Sequence, residues 1–144
     1  MIEKIELFKN AEYTITTDIE KVDFKAVCEM LSKSYWANKR SKEIIIKSFK
    51  NSLCFSLFCK DKQIGIARVI TDRATFAYLC DVYIDENYRG NGLGKWLIGC
   101  VFKHKDLQNL RRWSLGTRDA HEFYKNFGFS SLSTPERFME IFNG

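Results

Sequence analysis

Three closely spaced glycines, Gly90, Gly92 and Gly94, lie in the segment YRGNGLGKWL, although the whole chain has only eight glycines. Glycine permits positive φ angles and close approach of a ligand to the backbone. A helix that begins just after such a loop offers unpaired N–H groups and the positive end of its dipole. The loop is therefore predicted to hold a phosphate or pyrophosphate. A tight strand-to-helix turn that needs glycine only for its geometry is the alternative.

The spacing of this loop excludes two common phosphate-binding motifs. A GxxxxGK[ST] loop would need glycine at position 89 and serine or threonine at position 96, where the chain has Arg89 and Trp96. A dinucleotide GxGxxG motif beginning at Gly90 would need glycine at position 95, which is Lys95. The loop therefore belongs to a different class of anion site.

Asp81 is the sole charged residue in the apolar run from Phe76 to Ile84. A carboxylate in such a run is costly unless it is paired or faces a wet cleft. In a cleft, desolvation would raise its pKa and suit it to accept a proton. Alternatively, Asp81 forms a structural ion pair with Arg68 of the neighbouring predicted strand.

The apolar periodicity changes repeatedly along the chain and predicts an α/β or α+β domain. A strand is expected at EYTITT, and Asp23 is expected to cap a helix over DFKAVCEMLSKSYW. A second helix is expected from about Ser41 to Ser52. The following elements are three strands of an antiparallel meander within CFSLFCKDKQIGIARVI and TFAYLCDVYI, a helix from Leu93, a strand at RRWSLGT, a short helix at DAHEFYKNF and a final extended stretch reaching RFMEIF.

The short helix near the C terminus carries Tyr124 and is predicted to be capped by Asp119 and ended by Gly128. Phe123 and Phe127 are four residues apart and therefore share one helix face. They are expected to pack on the sheet, while Tyr124 points to the side. By itself, a tyrosine beside two phenylalanines is more typical of a core residue.

The length and composition predict one folded domain over residues 1–144. Apolar residues make up 45% and charged residues 28% of the 144 residues, which is typical of a folded soluble protein. No run is long and apolar enough for a membrane helix, and the N terminus lacks the apolar core of a signal peptide. The five scattered cysteines are expected to be reduced, and a cytoplasmic location is predicted.

Charge and metal-binding residues narrow the partners further. The net charge is +5, and a basic segment over residues 33–50 favours an anionic ligand, although a solvated helix face explains it as well. Nucleic acid and membrane are not expected as partners. His104 and His121 lie far apart, and no metal site is predicted. His104 is expected to be a surface residue at a helix end, and His121 to be partly exposed.

Two motifs together resemble the GNAT superfamily of N-acetyltransferases. The first is the loop in which Arg89 is followed by Gly92 and Gly94 at the end of CDVYIDENYRGNGLG. The second is the AxxxYxxxGF pattern formed by Ala120, Tyr124 and the pair at positions 128–129. The predicted order of elements also resembles that family over nearly the whole chain. Many members have asparagine where this chain has Thr117.

The resemblance implies a central, mostly antiparallel mixed sheet flanked by helices, and acetyl-coenzyme A as cosubstrate without a metal. It implies that Tyr124 protonates the coenzyme thiolate and that Asp81 accepts a proton from the acceptor. The strand before the loop would splay from its neighbour and pair with the pantetheine arm. The implied coenzyme-binding residues are Val82, Tyr83, Ile84, Arg89, Gly90, Asn91, Gly92, Leu93, Gly94, Lys95, Thr117 and Ala120.

By the same resemblance, the acceptor site lies at the connection SYWANKRS. Tyr35, Trp36 and Arg40 would suit an acceptor bearing a carboxylate or phosphate. Alternatively, the two aromatic residues simply end the apolar face of the first helix. The cysteines Cys80 and Cys100 have no neighbouring cation in sequence to activate them, so a covalent route is not expected.

The leading hypothesis is therefore a cytoplasmic N-acetyltransferase, monomeric or homodimeric. It would transfer an acetyl group directly to a primary amine of a small molecule or peptide in a ternary complex. A non-catalytic module that senses acyl-coenzyme A is the first alternative. A basic accessory protein, in which the glycine loop is only a turn, is the second.

Overall fold

A computed structural model describes residues 4–144 and places six strands in one sheet. The strands lie side by side in the order of the sequence, antiparallel from the first to the fifth, while the sixth runs parallel to the fifth. This confirms the predicted mixed, mostly antiparallel sheet. The strands are β1 (Leu7–Asn10), β2 (Tyr13–Thr16), β3 (Leu53–Cys59), β4 (Lys62–Thr71), β5 (Phe76–Ile84) and β6 (Arg112–Ser114).

Four helices cover the two faces of this sheet. On one face, α1 and α2 bury residues such as Leu31 and Phe49 against Ile66. On the other face, α3 buries residues such as Leu97 against Phe55, and α4 packs beside it. The helices are α1 (Phe24–Ser32), α2 (Lys42–Lys50), α3 (Leu93–Lys103) and α4 (His121–Lys125).

The two helices before the meander begin where the sequence predicts. The carboxylate of Asp23 accepts from the N–H groups of Lys25 and Ala26, and the hydroxyl of Ser41 accepts from the N–H of Ile44. These bonds satisfy N–H groups that would otherwise lack a partner at the helix start. The predicted helix starts are therefore confirmed.

The first helix ends at Ser32, four residues before the predicted end at Trp36. The buried hydroxyl of Ser34 donates to the carbonyl of Leu31 (2.7 Å) and accepts from the N–H of Ala37 (3.1 Å). A side chain that bonds the neighbouring backbone in this way offers an alternative to the helical pattern. The connection after α1 is therefore a turn with its own hydrogen bonds.

A β-bulge at Asp81 exchanges the two faces of β5. Asp81 has a φ of +49°, and the β4–β5 register shifts between Ile66 and Arg68. Before the bulge, Leu79 packs against the α3 cluster, whereas Tyr83 packs against the α1–α2 cluster although both have odd numbers. An extra residue in one strand reverses the alternation in this way. The sequence alternation alone did not predict this reversal.

Strand β1 was not predicted from the sequence. It comprises LFKN and, within residues 4–144, pairs only with β2, through a two-residue turn in which Ala11 has a φ of +53°. Most of β1 is exposed, because the strand forms one edge of the sheet. A strand with so little buried surface carries a weak apolar alternation.

The prediction for His104 was wrong. Its side chain is fully buried and its ring packs edge-on against Phe55, with centroids 5.6 Å apart. Its Nδ1 accepts from the N–H of Asp106, and its Nε2 has no hydrogen-bond partner among residues 4–144. The chain turns inward after α3, so the residue that follows the helix enters the core.

The predicted cap of α4 was also wrong. Asp119 is exposed, and its nearest cation is Arg118 at 3.6 Å. The N-cap of α4 is instead Ala120, whose N–H donates to the hydroxyl of Thr117 (3.1 Å). At the other end, Gly128 has a φ of +97°, which confirms its predicted role.

Candidate active site

The glycine loop joins the end of β5 to the start of α3. Gly90 and Gly92 have φ angles of +84° and +75°, and Gly92 is the N-cap of α3. Trp96 donates the first helical hydrogen bond, to the carbonyl of Gly92, and no side chain of the described residues caps the preceding N–H groups. No acidic residue lies in the first turn. The helix start therefore presents uncapped donors and a positive dipole end, which fits an anion such as a pyrophosphate.

Three elements meet at Gly94. A Cβ at this position would lie 3.8 Å from the ring of Phe123 and 4.0 Å from the side chain of Ile84. The first turn of α3 thus rests against α4 and the end of β5. This contact places the glycine loop beside the residues of the second motif.

Arg89 ties the loop back to β5. Its Nε donates to the carbonyl of Ile84 (2.9 Å), and its guanidinium lies 4.9 Å from the centre of the Tyr83 ring. The carbonyl of Ile84 was expected to bind pantetheine, and Arg89 already uses one of its two acceptor positions. The arginine of the motif therefore shapes the loop through this bond.

Strands β5 and β6 diverge and open a cavity. Their paired residues end at Tyr78 and Ser114, and β5 continues to Ile84 with no strand on that side among the described residues. The cavity measures about 400 Å³. Its lining brings together predicted residues of β5, of the second motif and of the connection after α1: Tyr35, Trp36, Arg40, Asp81, Val82, Thr117, Ala120 and Tyr124.

Tyr124 lines this cavity from α4. Its ring packs edge-on against Phe123 and Phe129, with centroids 5.1 and 5.9 Å away. Burial, and to a lesser extent the nearby Tyr35, raises the pKa of Tyr124 to about 12. The hydroxyl group is therefore protonated at neutral pH and available as a donor. Phe123 and Phe127 pack on the core as predicted.

Asp81 lies at the centre of a buried hydrogen-bond network. Its Oδ2 accepts from Nε of Arg68 (2.7 Å) and from Arg40 (2.9 Å), and its Oδ1 accepts from Nε1 of Trp36 (2.8 Å). The ion pair with Arg68 was the alternative left open by the sequence. Arg68 also donates to the hydroxyl of Ser52, so the network connects β4 and β5 to the segments flanking α2.

The electrostatics of Asp81 differ from those expected of a general base. Burial would raise the pKa of Asp81, but Arg68, Arg40 and the hydrogen bond from Trp36 outweigh it, and the pKa is lowered. The expected rise in proton affinity was therefore wrong, because two guanidinium groups stabilise the carboxylate. Asp81 is ionised at neutral pH and already paired.

Tyr35 and Trp36 project from the turn after α1 and do not extend the apolar face of that helix. Their rings pack edge-on, with centroids 5.0 Å apart. The hydroxyl of Tyr35 accepts from the N–H of Arg118 (2.8 Å), and the Arg118 guanidinium lies 3.9 Å from the Tyr35 ring centre. This contact joins the acceptor side to the chain after β6.

Arg118 and Tyr78 were not identified from the sequence. Tyr78 lines the cavity, and its hydroxyl lies 3.5 Å from a Cβ placed at Gly116, whereas Arg118 contacts Tyr35. Neither residue belongs to a motif. Their positions depend on how β6 and the chain after it lie against β5, so no local signal could identify them.

The other residues predicted to bind the coenzyme differ in how exposed they are. Tyr83 and Leu93 are buried core residues, so only their backbone groups could meet a ligand. Asn91 and Lys95 are exposed at the loop and at the first turn of α3. Thr117 lines the cavity, while its hydroxyl accepts from the N–H of Ala120.

One of the five cysteines, Cys80, lines the cavity. None of the five cysteines forms a disulfide among residues 4–144. Burial raises the pKa of Cys80 in the cavity wall to about 11, so its thiol is protonated at neutral pH.

In the described part of the chain, no group of three or more His, Cys, Asp or Glu side chains could hold a metal ion. No helix in that part is long and apolar enough to span a membrane.

Known proteins resemble this chain in sequence and in fold. Residues 50–131 match the profile of the acetyltransferase (GNAT) domain. A proposed acetyltransferase from Gibberella zeae is 30% identical over 88% of this chain and 84% of its own length. An uncharacterised N-acetyltransferase from Pyropia yezoensis is 29% identical over 88% of this chain and 74% of its own length.

The solved structures agree with the sequence comparisons. The crystal structure of a proposed GNAT-family acetyltransferase from Xanthomonas campestris has a TM-score of 0.89 and 39% identity, over 91% of this chain and 93% of that chain. The fold and the site thus define an acetyltransferase of the GNAT type. The chain belongs to the GNAT family of acetyltransferases.

Proposed function

We propose that this chain, as one domain over residues 1–144, transfers an acetyl group from acetyl-coenzyme A directly to a primary amine in a ternary complex. The cavity between the diverging strands β5 and β6 is the observation that carries the proposal. Tyr124, Trp36 and Arg40 all line this cavity, so a donor and an acceptor could meet in it. The relatives are described as acetyltransferases, which favours the enzyme over a sensing module.

The coenzyme is proposed to lie along the unpaired side of β5 with its pyrophosphate at the start of α3. The uncapped N–H groups after Gly92 would bind the pyrophosphate oxygens. The β5 backbone at Val82 would bind the pantetheine amides as a neighbouring strand does. A backbone N–H near Val82 would also polarise the thioester carbonyl.

Bound acetyl-coenzyme A supplies an activated acetyl group as a thioester. In the proposed transfer, the amine nitrogen forms a bond to the acetyl carbon and the carbon–sulfur bond breaks. Tyr124 donates its proton to the sulfur that leaves, and its raised pKa keeps that proton in place until transfer. The proton released by the amine passes to solvent in the open cavity.

Asp81 is proposed to position the acceptor side and not to act as the base that the sequence suggested. Its lowered pKa makes it a weak proton acceptor near neutral pH. Its carboxylate instead fixes Trp36 and Arg40, which the sequence assigns to the acceptor. Neutral amine is then taken from solution.

The acceptor is proposed to be a small molecule or peptide amine that also bears a carboxylate or phosphate. Tyr35, Trp36 and Arg40 supply aromatic surface and positive charge at the cavity, and the guanidinium of Arg118 lies over the Tyr35 ring. A cytoplasmic location is part of the proposal, although an Arabidopsis thaliana relative is named as chloroplastic.

Calorimetry and a thiol-release assay test the proposal together. We expect acetyl-coenzyme A to bind with measurable heat, and free thiol to appear when amines from a panel are added. The panel pairs amino acids and peptide amino termini with their amidated or decarboxylated counterparts, so that it also tests the anionic group. Absence of binding at millimolar coenzyme contradicts the coenzyme site. Binding without thiol release from any amine supports the sensing module instead.

A further inference from the structure

The helix that carries Tyr124 is too short to hold its own position. α4 has five residues, none of them is buried, and its N-cap residue Ala120 has no side-chain capping bond among residues 4–144. An isolated helix of this length is not stable in water, so its position depends on its neighbours. Phe123, together with Phe127 just after the helix, packs on the core. The start of α4 therefore needs separate support.

Two kinds of hydrogen bond hold the chain at the start of α4. Within the segment, the N–H of Ala120 donates to the hydroxyl of Thr117 (3.1 Å), and the carbonyl of Ala120 accepts from the N–H of Tyr124 (3.1 Å). These bonds shape the segment but do not attach it to the rest of the molecule. The N–H of Arg118 donates to the hydroxyl of Tyr35 (2.8 Å), across 83 positions of the sequence. This bond attaches the start of α4 to the connection after α1.

Tyr35 is itself anchored to the sheet. Its ring packs edge-on against Trp36, with centroids 5.0 Å apart. Nε1 of Trp36 donates to the buried carboxylate of Asp81 in β5 (2.8 Å). On the other side, the guanidinium of Arg118 lies 3.9 Å from the centre of the Tyr35 ring. The network around Asp81 thus reaches the segment before α4 through these two aromatic side chains.

We propose that Tyr35 is a positioning residue for Tyr124, because its hydroxyl fixes the start of α4 and thereby the orientation of the proton donor. The inference rests on the proposed function, in which Tyr124 protonates the leaving sulfur. Both tyrosines line the same cavity, so a shift of α4 would move the Tyr124 hydroxyl within it. A general acid must lie within hydrogen-bond reach of the atom that it protonates, and a small displacement lowers the rate.

A direct contact with the acceptor is the other role open to Tyr35. The residue is 42% exposed, and its hydroxyl, which accepts from Arg118, still has its own proton to donate. Loss of an acceptor contact would raise the KM for the acceptor, whereas loss of positioning would lower kcat. The bond to the backbone before α4 favours positioning.

Steady-state kinetics of Tyr35→Phe test this role. The new ring keeps the contacts with Trp36 and the Arg118 guanidinium but cannot accept the hydrogen bond. We expect kcat to fall by about 3–10-fold, the size of one lost hydrogen bond, while the acceptor KM and the dissociation constant for acetyl-coenzyme A stay nearly unchanged. Tyr13→Phe, in β2 and away from the cavity, is the matched control and should have normal kcat. A normal kcat in Tyr35→Phe, or only a raised acceptor KM, overturns the proposal.

A double-mutant cycle shows whether Tyr35 acts through Tyr124. In a chain that already carries Tyr124→Phe, we expect Tyr35→Phe to have no further effect on kcat, because no hydroxyl is left to position. Circular dichroism verifies that each variant is folded. An equal loss of kcat in both backgrounds would mean that Tyr35 acts independently, and it would overturn the proposal.

Fluorine NMR tests the same support without any reaction. The free chain carries 3-fluorotyrosine in place of Tyr124, and its fluorine resonance is recorded with and without each substitution. We expect Tyr35→Phe to shift or broaden this resonance, because the helix start has lost a contact, and Tyr13→Phe to leave it unchanged. An unchanged resonance in Tyr35→Phe overturns the proposal, whatever the chain catalyses. A changed resonance in a chain that releases no thiol with any amine supports the positioning of Tyr124 and contradicts only the proposed function.

Discussion

Tyr124 combines a polar hydroxyl with an apolar environment. Its ring lies among Phe123, Phe129 and the cavity wall, and burial raises its pKa to about 12. The hydroxyl therefore keeps its proton throughout the physiological range. The same burial limits its exchange with water, which suits a donor that acts on a single leaving group.

We expect Tyr124→Phe to lower kcat by about 10²–10⁴-fold, the range typical of a lost general acid. The dissociation constant for acetyl-coenzyme A should change little, because the ring and its packing remain. Steady-state kinetics and calorimetry measure the two quantities. Tyr13→Phe, in β2 and away from the cavity, is the control. A variant of Tyr124 with normal kcat would remove this residue from the mechanism.

Asp81 matters for the fold as well as for the site. Its buried carboxylate forms ion pairs with both Arg68 and Arg40. Removing one partner of a buried ion pair leaves an uncompensated charge, which costs about 3–5 kcal/mol. We expect Asp81→Asn to lower the free energy of unfolding by an amount of this order, measured in urea. Asp61→Asn, in the exposed turn between β3 and β4, should have almost no effect.

The direction of the Asp81 pKa gives a separate test of its role. A carboxylate with a lowered pKa contributes stability that is present above its unfolded pKa of about 3.9 and is lost as the pH falls through the folded value. Because its pKa is lowered, Asp81 stays ionised between pH 5 and 8, and the kcat/KM profile should show no ionisation of this group in that range. A limb in that range that disappears in Asp81→Asn would restore the general-base role.

At the scale of elements, the glycine loop and the start of α3 together form the proposed pyrophosphate site. The loop needs positive φ at Gly92, where a side chain costs about 1–2 kcal/mol in backbone strain. No atom of the described chain lies within 4 Å of a Cβ there, so the fold should survive. We expect Gly92→Val to weaken acetyl-coenzyme A binding by at least about tenfold in calorimetry, because it disturbs the donors at the helix start.

Gly99→Val provides the control for this prediction. Gly99 lies in the same helix, and a Cβ there also meets no atom within 4 Å. It lies two turns from the loop, so coenzyme affinity should be unchanged. Equal binding by the Gly92→Val variant and the unmodified chain would contradict the assigned pyrophosphate site.

The end of α3 provides a second prediction at this scale. Burial lowers the pKa of His104, so the folded chain favours the neutral ring. The stability that this preference provides is present above the unfolded pKa of about 6.5 and is lost as the pH falls below it. We expect the free energy of unfolding to decline from pH 7.5 to 5.5 through this group.

Two variants isolate the contribution of His104. His104→Gln should remove the decline whatever its own stability at pH 7.5, whereas His121→Gln should retain it, since His121 is exposed. These are the only two histidines in the chain. Urea unfolding at several pH values gives the comparison. A decline that persists in His104→Gln would show that other groups cause it.

At the scale of the whole molecule, ligand binding should be visible as added stability. A ligand at 100 times its dissociation constant adds about 2.7 kcal/mol to the free energy of unfolding if it binds only the folded state. We expect this increase with acetyl-coenzyme A in urea unfolding. Adenosine alone, which lacks the pyrophosphate and the thioester arm, should give much less. If adenosine stabilised the chain as much as acetyl-coenzyme A, this would contradict the proposal that the loop binds the pyrophosphate and β5 binds the pantetheine arm.

The sequence by itself determined the elements and the two motifs. The alternation in FAYLCDVYI, the caps Asp23 and Ser41, and the glycine spacing are local patterns, and local backbone preference decides them. The GNAT resemblance followed from the same local residues. Short elements with little buried surface, such as β1, carried too weak a pattern to be predicted.

Only the tertiary structure decided how those residues meet. The bulge at Asp81, the pairing of its carboxylate with Arg40 and Arg68, and the burial of His104 depend on contacts between distant segments. The pKa of a carboxylate follows from the charges around it in space, so the sequence could not distinguish a base from an ion pair.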